Sequence, residues 1–222
     1  MKNFAIILCG AGNLDGSEIH EATLSLLAID ELNCHYQCFA LDKPQGRVMN
    51  FVTGEPEISE SRNQLKESAR IARGKIKPVA DLKLKDFDAL ILPGGYGVAF
   101  SLCNFAEKGH QAQIQPEIAE IIQAFYAAKK PIGAICISPT LIALALKDKT
   151  EKLTLTLGNA EDSAGKEVEK LNCQVIACKP DECIIDAKNL IVSTPAYMNA
   201  KRISEVKNGI QKLVKTVFDF CQ

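Results

Sequence analysis

Apolar residues along the chain gather in four short runs, at residues 4–8, 36–41, 89–92 and 132–136, each bounded by polar residues, Gly or Pro. Runs of this length read as buried strands. Between them the apolar positions move to three- and four-residue spacing over roughly residues 17–32, 59–73 and 116–129, which predicts helices. Strand and helix in alternation predict a parallel sheet. Near the C-terminus Ile203, Val206, Ile210, Leu213 and Val217 fall on one stripe of a further helix whose opposite face is charged, so that stripe should dock on a sheet face.

Two stretches break the rhythm. In residues 42–78 the run Thr53, Gly54, Glu55, Pro56 interrupts the pattern ahead of a short charged helix, which predicts an excursion above the sheet. Residues 173–192 end in CIIDAKNLIV, two β-rich runs around Asp186 to Asn189, which predict a hairpin at the sheet edge.

A length of 222 residues with no linker or composition shift predicts one α/β domain over residues 1–222. Hydrophobic residues at 47% and charged residues at 24% exclude disorder. The formal net charge is -1 and the basic residues are dispersed, so no stripe exists to track nucleic acid. The N-terminal apolar run meets Gly after six residues, too short for a signal-peptide core or a bilayer span, so no membrane association is expected. Nine cysteines without a CxxC pair argue against a disulfide framework and for a reducing, cytoplasmic location. His20, His35 and His110 are too scattered for a metal site, and Cys173, Cys178 and Cys183 match no zinc spacing.

In an open parallel sheet ligands bind beyond the carboxyl ends of the strands, which singles out the residues after three of the runs. After the fourth run Cys136 has small residues, Ala134 and Ser138, two positions away on each side. That is the spacing of a nucleophile elbow, in which a sharp strand-to-helix turn lifts the central side chain above the sheet. The following helix N-terminus should lower the thiol pKa and favour the thiolate. A buried core cysteine fits the spacing equally well. Glu18, after the first run, could act as general base, or could cap the helix with Asp15 as its N-cap partner. His20 is an acid-base candidate, or simply a packed or surface residue.

After the third run, PGGYG places Gly94 and Gly95 where backbone N–H groups can face an oxyanion, although a plain turn would read the same. No Lys-Ser or Lys-Thr pair follows, and the glycines of CGAG lead into Asp15 and Glu18, whose charge repels phosphate. A nucleotide or flavin site is therefore not expected, and no cofactor is required.

Four motifs, GSEIHEA at residues 16–22, LPGGYG at 92–97, GAICISP at 133–139 and TPAYM at 194–198, occur in the order found in the ElbB family. The chain resembles that family, of the ThiJ/PfpI group in the class I glutamine amidotransferase-like superfamily, over essentially its whole length. The resemblance implies a flavodoxin-like three-layer sandwich with a mostly parallel sheet, a nucleophile elbow at Cys136 and a nearby carboxylate at Glu18. It also implies a homodimer, a loose link to isoprenoid production, and a cofactor-independent glyoxalase that converts glyoxal, or another small dicarbonyl, to glycolate through a cysteine hemithioacetal. In that chemistry Glu18 moves the proton and the N–H groups of Gly95 and Ile137 stabilise the alkoxide.

One departure matters. Many peptidase and glyoxalase members of the superfamily carry His directly after the cysteine, where this chain has Ile137. All three histidines precede Cys136, so glutamine hydrolysis is not expected, and His20 is left as the stand-in. The competing reading is a non-enzymatic redox or stress-response regulator built on the same thiol.

Overall fold

The computed structural model describes residues 1–221. Five of the six residues of β1 (Asn3–Leu8) are buried, as a strand covered on both faces requires. It sits centrally in a seven-stranded sheet with β2 (His35–Ala40), β3 (Ile76–Pro78), β4 (Ala89–Leu92), β5 (Ile132–Ile135), β8 (Ile184–Asp186) and β9 (Ile191–Thr194). The order is β3-β2-β1-β4-β5-β9-β8, and every pairing is parallel except β8 with β9. The four runs read from the sequence are β1, β2, β4 and β5, and the hairpin is β8 and β9.

Helix α1 (Ile19–Glu31) packs against α7 (Ile203–Phe220), which covers β4, β5 and β9. Side chains alternate across a strand, so β5 shows how both faces are used. A Cβ on Gly133 would lie 2.6 Å from Leu213 and 3.2 Å from Val217, which places this residue against α7. Its neighbours point to the other face, where α4 (Pro116–Ala127) and α5 (Pro139–Leu146) pack on one another and on β5. The result is the α/β architecture with a mostly parallel sheet that the sequence predicts.

The excursion leaves β2 at Leu41 and is pinned by short antiparallel bridges, Pro44 with Asn63 and Met49 with Pro56. Its helix, α2 (Gln64–Ile71), begins five residues later than the periodicity suggests, because the Asn63 side chain accepts the Lys66 N–H and fixes the start there. The excursion then returns as edge strand β3, which its few apolar residues did not announce. Residues 173–192 are also more than a hairpin: β7 (Cys173–Val175) pairs in parallel with β6 (Leu153–Leu155) in a separate two-stranded sheet. The short helices α3 (Phe105–Lys108) and α6 (Ser163–Glu169) carry too little periodicity to be read from sequence. No described helix is long and apolar enough to cross a membrane.

The topology sets where chemistry can happen. From β1 the chain moves outward to β2 and β3, then crosses back to β4 and β5 on the other side, so the strand order reverses between β1 and β4. The carboxyl ends of β1, β4 and β5 are adjacent at that switch point. Three backbone bonds bind the loops together there: Glu18 N–H donates to Gly94 O at 2.9 Å, Tyr96 N–H to Asn13 O at 2.8 Å and Gly97 N–H to Gly16 O at 3.0 Å.

Docking of α7 is the main cover of one sheet face. Leu213→Ala, at a fully buried position, is expected to destabilise the fold by about 2–5 kcal/mol in urea denaturation. Lys207→Ala on the exposed face of the same helix should change stability by less than about 0.5 kcal/mol.

Candidate active site

Strand β5 ends at Ile135, and Cys136 takes φ 61°, a left-handed conformation that costs a non-glycine residue roughly 1–3 kcal/mol. Its neighbours hold it there. Cys136 N–H donates to Thr194 O at 2.9 Å, Ser138 N–H to Ile135 O at 3.0 Å, and the Ser138 hydroxyl to Pro93 O at 2.7 Å. Pro139, whose fixed φ suits the first helical position, then starts α5. Ala134 and Ser138 are completely buried, which is why those two positions must be small. Cys136 as a residue retains 8% exposure and lines the cleft above the sheet.

The carboxylate that meets this thiol belongs to Glu21, not Glu18. The expectation placed Glu18 inside the first turn of α1 with Asp15 as its cap. In the fold Glu18 is the N-cap itself, with Oε2 accepting the Glu21 N–H at 2.7 Å, and Asp15 instead accepts the Met49 N–H at 2.8 Å. Glu21 therefore lies on the inward face of the first turn, fully buried and beside Cys136. Its Oε2 accepts the Gly94 N–H at 3.1 Å and its Oε1 the Tyr197 N–H at 3.3 Å. The sequence did hold a signal for this: Glu21 shares its helix face with Ala22, Ser25, Ala28 and Ile29, all buried.

The glycines of PGGYG divide the work. A Cβ on Gly94 would lie 2.4 Å from the Cys136 Cβ and 2.6 Å from Glu21 Oε2, so only glycine lets thiol and carboxyl meet across it. Its N–H is committed to Glu21, which removes Gly94 from the expected oxyanion donors. Gly95, at φ 102°, would push a Cβ to 2.3 Å from Gly16 O. Its N–H, with that of Ile137, faces the Cys136 sulfur.

Burial, followed by the negative charge of Glu18, pushes the Glu21 carboxyl up to about 8. Burial and the Glu21 charge push the Cys136 thiol up, against the opposing donors Gly95 N–H and Ile137 N–H. This corrects the expectation of a thiol lowered by the helix N-terminus alone, since burial beside a carboxylate outweighs that field. Both groups are therefore held protonated at neutral pH, and loss of one proton leaves a coupled pair that shares the other. With the proton on Glu21, its O–H can donate to a thiolate that also receives the two backbone N–H groups. With the proton on sulfur, a buried carboxylate is left beside the thiol.

His20 is half exposed at the cleft, with Nδ1 2.8 Å from the Tyr197 hydroxyl and 4.0 Å from Glu18 Oε1. It touches the site through Tyr197, a residue in the TPAYM motif whose role the sequence did not reveal. The cleft encloses about 1560 Å³ and runs from Cys136, Glu18 and Tyr197 past Tyr96 to Arg47 and Phe100. All nine cysteines are free thiols, and among the described residues no three His, Cys, Asp or Glu side chains are grouped as metal ligands.

Residues 57–196 match the model of the DJ-1/PfpI family. The ES1 protein homolog, mitochondrial, of Rattus norvegicus is 38% identical over 97% of this chain and 82% of its own length. The human glutamine amidotransferase-like class 1 domain-containing protein 3, mitochondrial, is 36% identical over the same shares. Among solved structures, an isoprenoid biosynthesis protein with an amidotransferase-like domain from Ehrlichia chaffeensis superposes with a TM-score of 0.92 at 37% identity, covering 100% of both chains. The mitochondrial names of these curated relatives overturn the cytoplasmic location read from cysteine content, since unpaired cysteines report a reducing environment and do not identify the compartment. On the family model, the near full-length identity and the fold, this chain belongs to the DJ-1/PfpI family.

Proposed function

We propose that this protein is a cofactor-independent glyoxalase of the ElbB type, which converts glyoxal or a related small dicarbonyl to the 2-hydroxy acid. The observation that carries the reading is the buried Glu21–Cys136 pair, mounted on a strained elbow with two backbone N–H groups aimed at the sulfur. That unit can supply a nucleophile and a mobile proton within one desolvated space.

The steps balance without an external oxidant. The Cys136 thiolate adds to one aldehyde carbon while Glu21 passes its proton to the new alkoxide, giving a hemithioacetal. Glu21, now ionised, removes the C–H proton of that carbon and returns it to the neighbouring carbonyl carbon, while the hydroxyl proton passes to the neighbouring oxygen. One carbon rises to the carboxyl level as a thioester, the other falls to an alcohol, and water releases glycolate. The N–H groups of Gly95 and Ile137 stabilise negative charge on sulfur before attack and on oxygen after it. Glu18 caps α1 and raises the Glu21 pKa through its charge, so it is assigned a positioning role.

Glycolate formation from glyoxal tests this directly. Cys136→Ala should abolish turnover, Glu21→Gln should lower kcat by roughly 10²–10⁴-fold, and Glu18→Gln by less than about 10-fold. A wild type that forms only a stoichiometric adduct would instead favour a redox or stress-response regulator using the same thiol.

The protonation state can be tested separately. Because the folded state raises the Glu21 pKa from 4.5 to about 8, it binds the proton more tightly than the unfolded chain does. That contribution to stability is complete below the unfolded value and is lost as pH rises through the folded one. In a Cys136→Ala background the thermal midpoint should therefore fall between about pH 5 and about pH 9, and adding Glu21→Gln should flatten that fall. Parallel curves for the two proteins would remove the raised Glu21 pKa from the account.

A further inference from the structure

Glyoxal fills only a small part of a cleft of about 1560 Å³, and the excursion between β2 and α2 delivers a cation to the remainder. Arg47 is a lining residue held in one orientation. Its Nε and Nη2 donate to Leu14 O at 2.8 and 2.5 Å, and its guanidinium lies 3.8 Å above the centre of the Phe100 ring and 5.7 Å from that of Tyr96. The residues before it are locked as well: Gln45 Nε2 donates to Asp15 O at 2.8 Å, and Gly46 N–H to the Ser101 hydroxyl at 2.9 Å.

This mounting leaves recognition capacity unused. Nη1 makes no hydrogen bond to a described residue, and Asp15, the carboxylate whose charge acts on Arg47, lies beyond ion-pair distance and accepts the Met49 N–H instead. Several carboxylates that share the cleft are engaged elsewhere, Glu18 on the Glu21 N–H, Glu167 on His110 and Lys170, and Asp162 on Asn159. A guanidinium stacked on an aromatic ring with free N–H groups is suited to a carboxylate or phosphate oxygen pair. Arg47, Tyr96, Gly95 and Cys136 line one cleft, with the Tyr96 ring 5.7 Å from the guanidinium and Gly95 its neighbour in the chain, so an anion on Arg47 would be one end of a molecule whose reactive end is at Cys136.

We propose that Arg47 is a specificity-determining residue that binds the anionic end of the substrate, and that the preferred substrate is an α-oxoaldehyde carrying a carboxylate a few carbons from its aldehyde. The substrate class rests on the glyoxalase reading, whereas anion binding at Arg47 does not. The chemistry is unchanged: sulfur adds to the aldehyde carbon, that carbon's proton moves to the ketone carbon, and water releases a 2-hydroxy diacid. The aldehyde is oxidised and the ketone reduced, with no further reactant than water.

Two measurements separate the parts. The first compares kcat/KM for 4,5-dioxopentanoate with that for 2-oxopentanal, a neutral α-oxoaldehyde of the same carbon count. Wild type should prefer the anion, and Arg47→Gln should lower the anion-to-neutral ratio by about 10- to 100-fold, the loss of one charge-assisted contact. The second needs no turnover: alkylation of Cys136 by iodoacetate and by iodoacetamide, followed by mass spectrometry of the Cys136 peptide. Arg47→Gln should lower the iodoacetate-to-iodoacetamide rate ratio about 5- to 10-fold, and Arg47→Lys, which keeps the charge, should restore most of it.

Turnover of 2-oxopentanal with neither ratio sensitive to Arg47 would overturn the proposal while sparing the glyoxalase reading. No turnover of either dicarbonyl, together with an Arg47-dependent alkylation ratio, would sink the glyoxalase reading and keep Arg47 as an anion site. Equal loss of the alkylation ratio in Arg47→Gln and Arg47→Lys would assign the effect to loop packing and overturn the proposal.

Discussion

Burying an ionisable carboxyl group against a thiol is costly, and the architecture around the carboxyl ends of β1, β4 and β5 is organised to meet that cost. Glu21 has no exposure, and the groups around its carboxyl come from three different segments: Gly94 after β4, Tyr197 after β9 and Cys136 after β5. Placing three loops around one carboxyl replaces part of the lost hydration. The remainder is met by protonation, which is why its pKa moves to about 8 and not to a value typical of an exposed carboxylate.

The strain at Cys136 follows from the same arrangement. Turning the chain at φ 61° brings the sulfur to the floor of the cleft, where Glu21, Gly95 and Ile137 surround it. Bonds from Ser138 to Pro93 and from Cys136 to Thr194 tie the elbow to the strand ends on both sides. Conformational strain is retained because the adjacent strands over-determine the turn.

The excursion has a comparable logic on a larger scale. It is the irregular part of the chain between β2 and α2, yet it is fastened to the first loop through Leu14 and Asp15 and to the turn after β4 through Phe100 and Ser101. The turn over Val98–Leu102 is a single π-helical turn, a geometry that widens the helix where the excursion approaches it. Gly46 shows how close that approach is, since a Cβ there would lie 2.0 Å from Phe100 O. The wall of the cleft is thus a fixed surface, and Arg47 is part of it.

What the sequence determined by itself is the periodic part. Burial on both faces makes β1, β4 and β5 continuous apolar runs, and burial on one face makes α7 a stripe, so local pattern carries these elements directly. The elbow at Cys136 was legible for a similar reason, because the crowding that demands small residues at Ala134 and Ser138 acts over only two positions. Tertiary structure decided the rest. Short edge pieces such as β3 and β6 take their conformation from partners far along the chain, and the start of α1 at Ile19 made Glu18 the cap and put Glu21 beside the thiol. That placement turns on whether Glu18 caps the helix or enters it, a choice made where its own N–H meets Gly94 O, 76 positions away. The thiol's environment was set in the same way: the helix end could be read locally, but the carboxyl that outweighs it arrives only when the start of α1 is brought to the carboxyl end of β5.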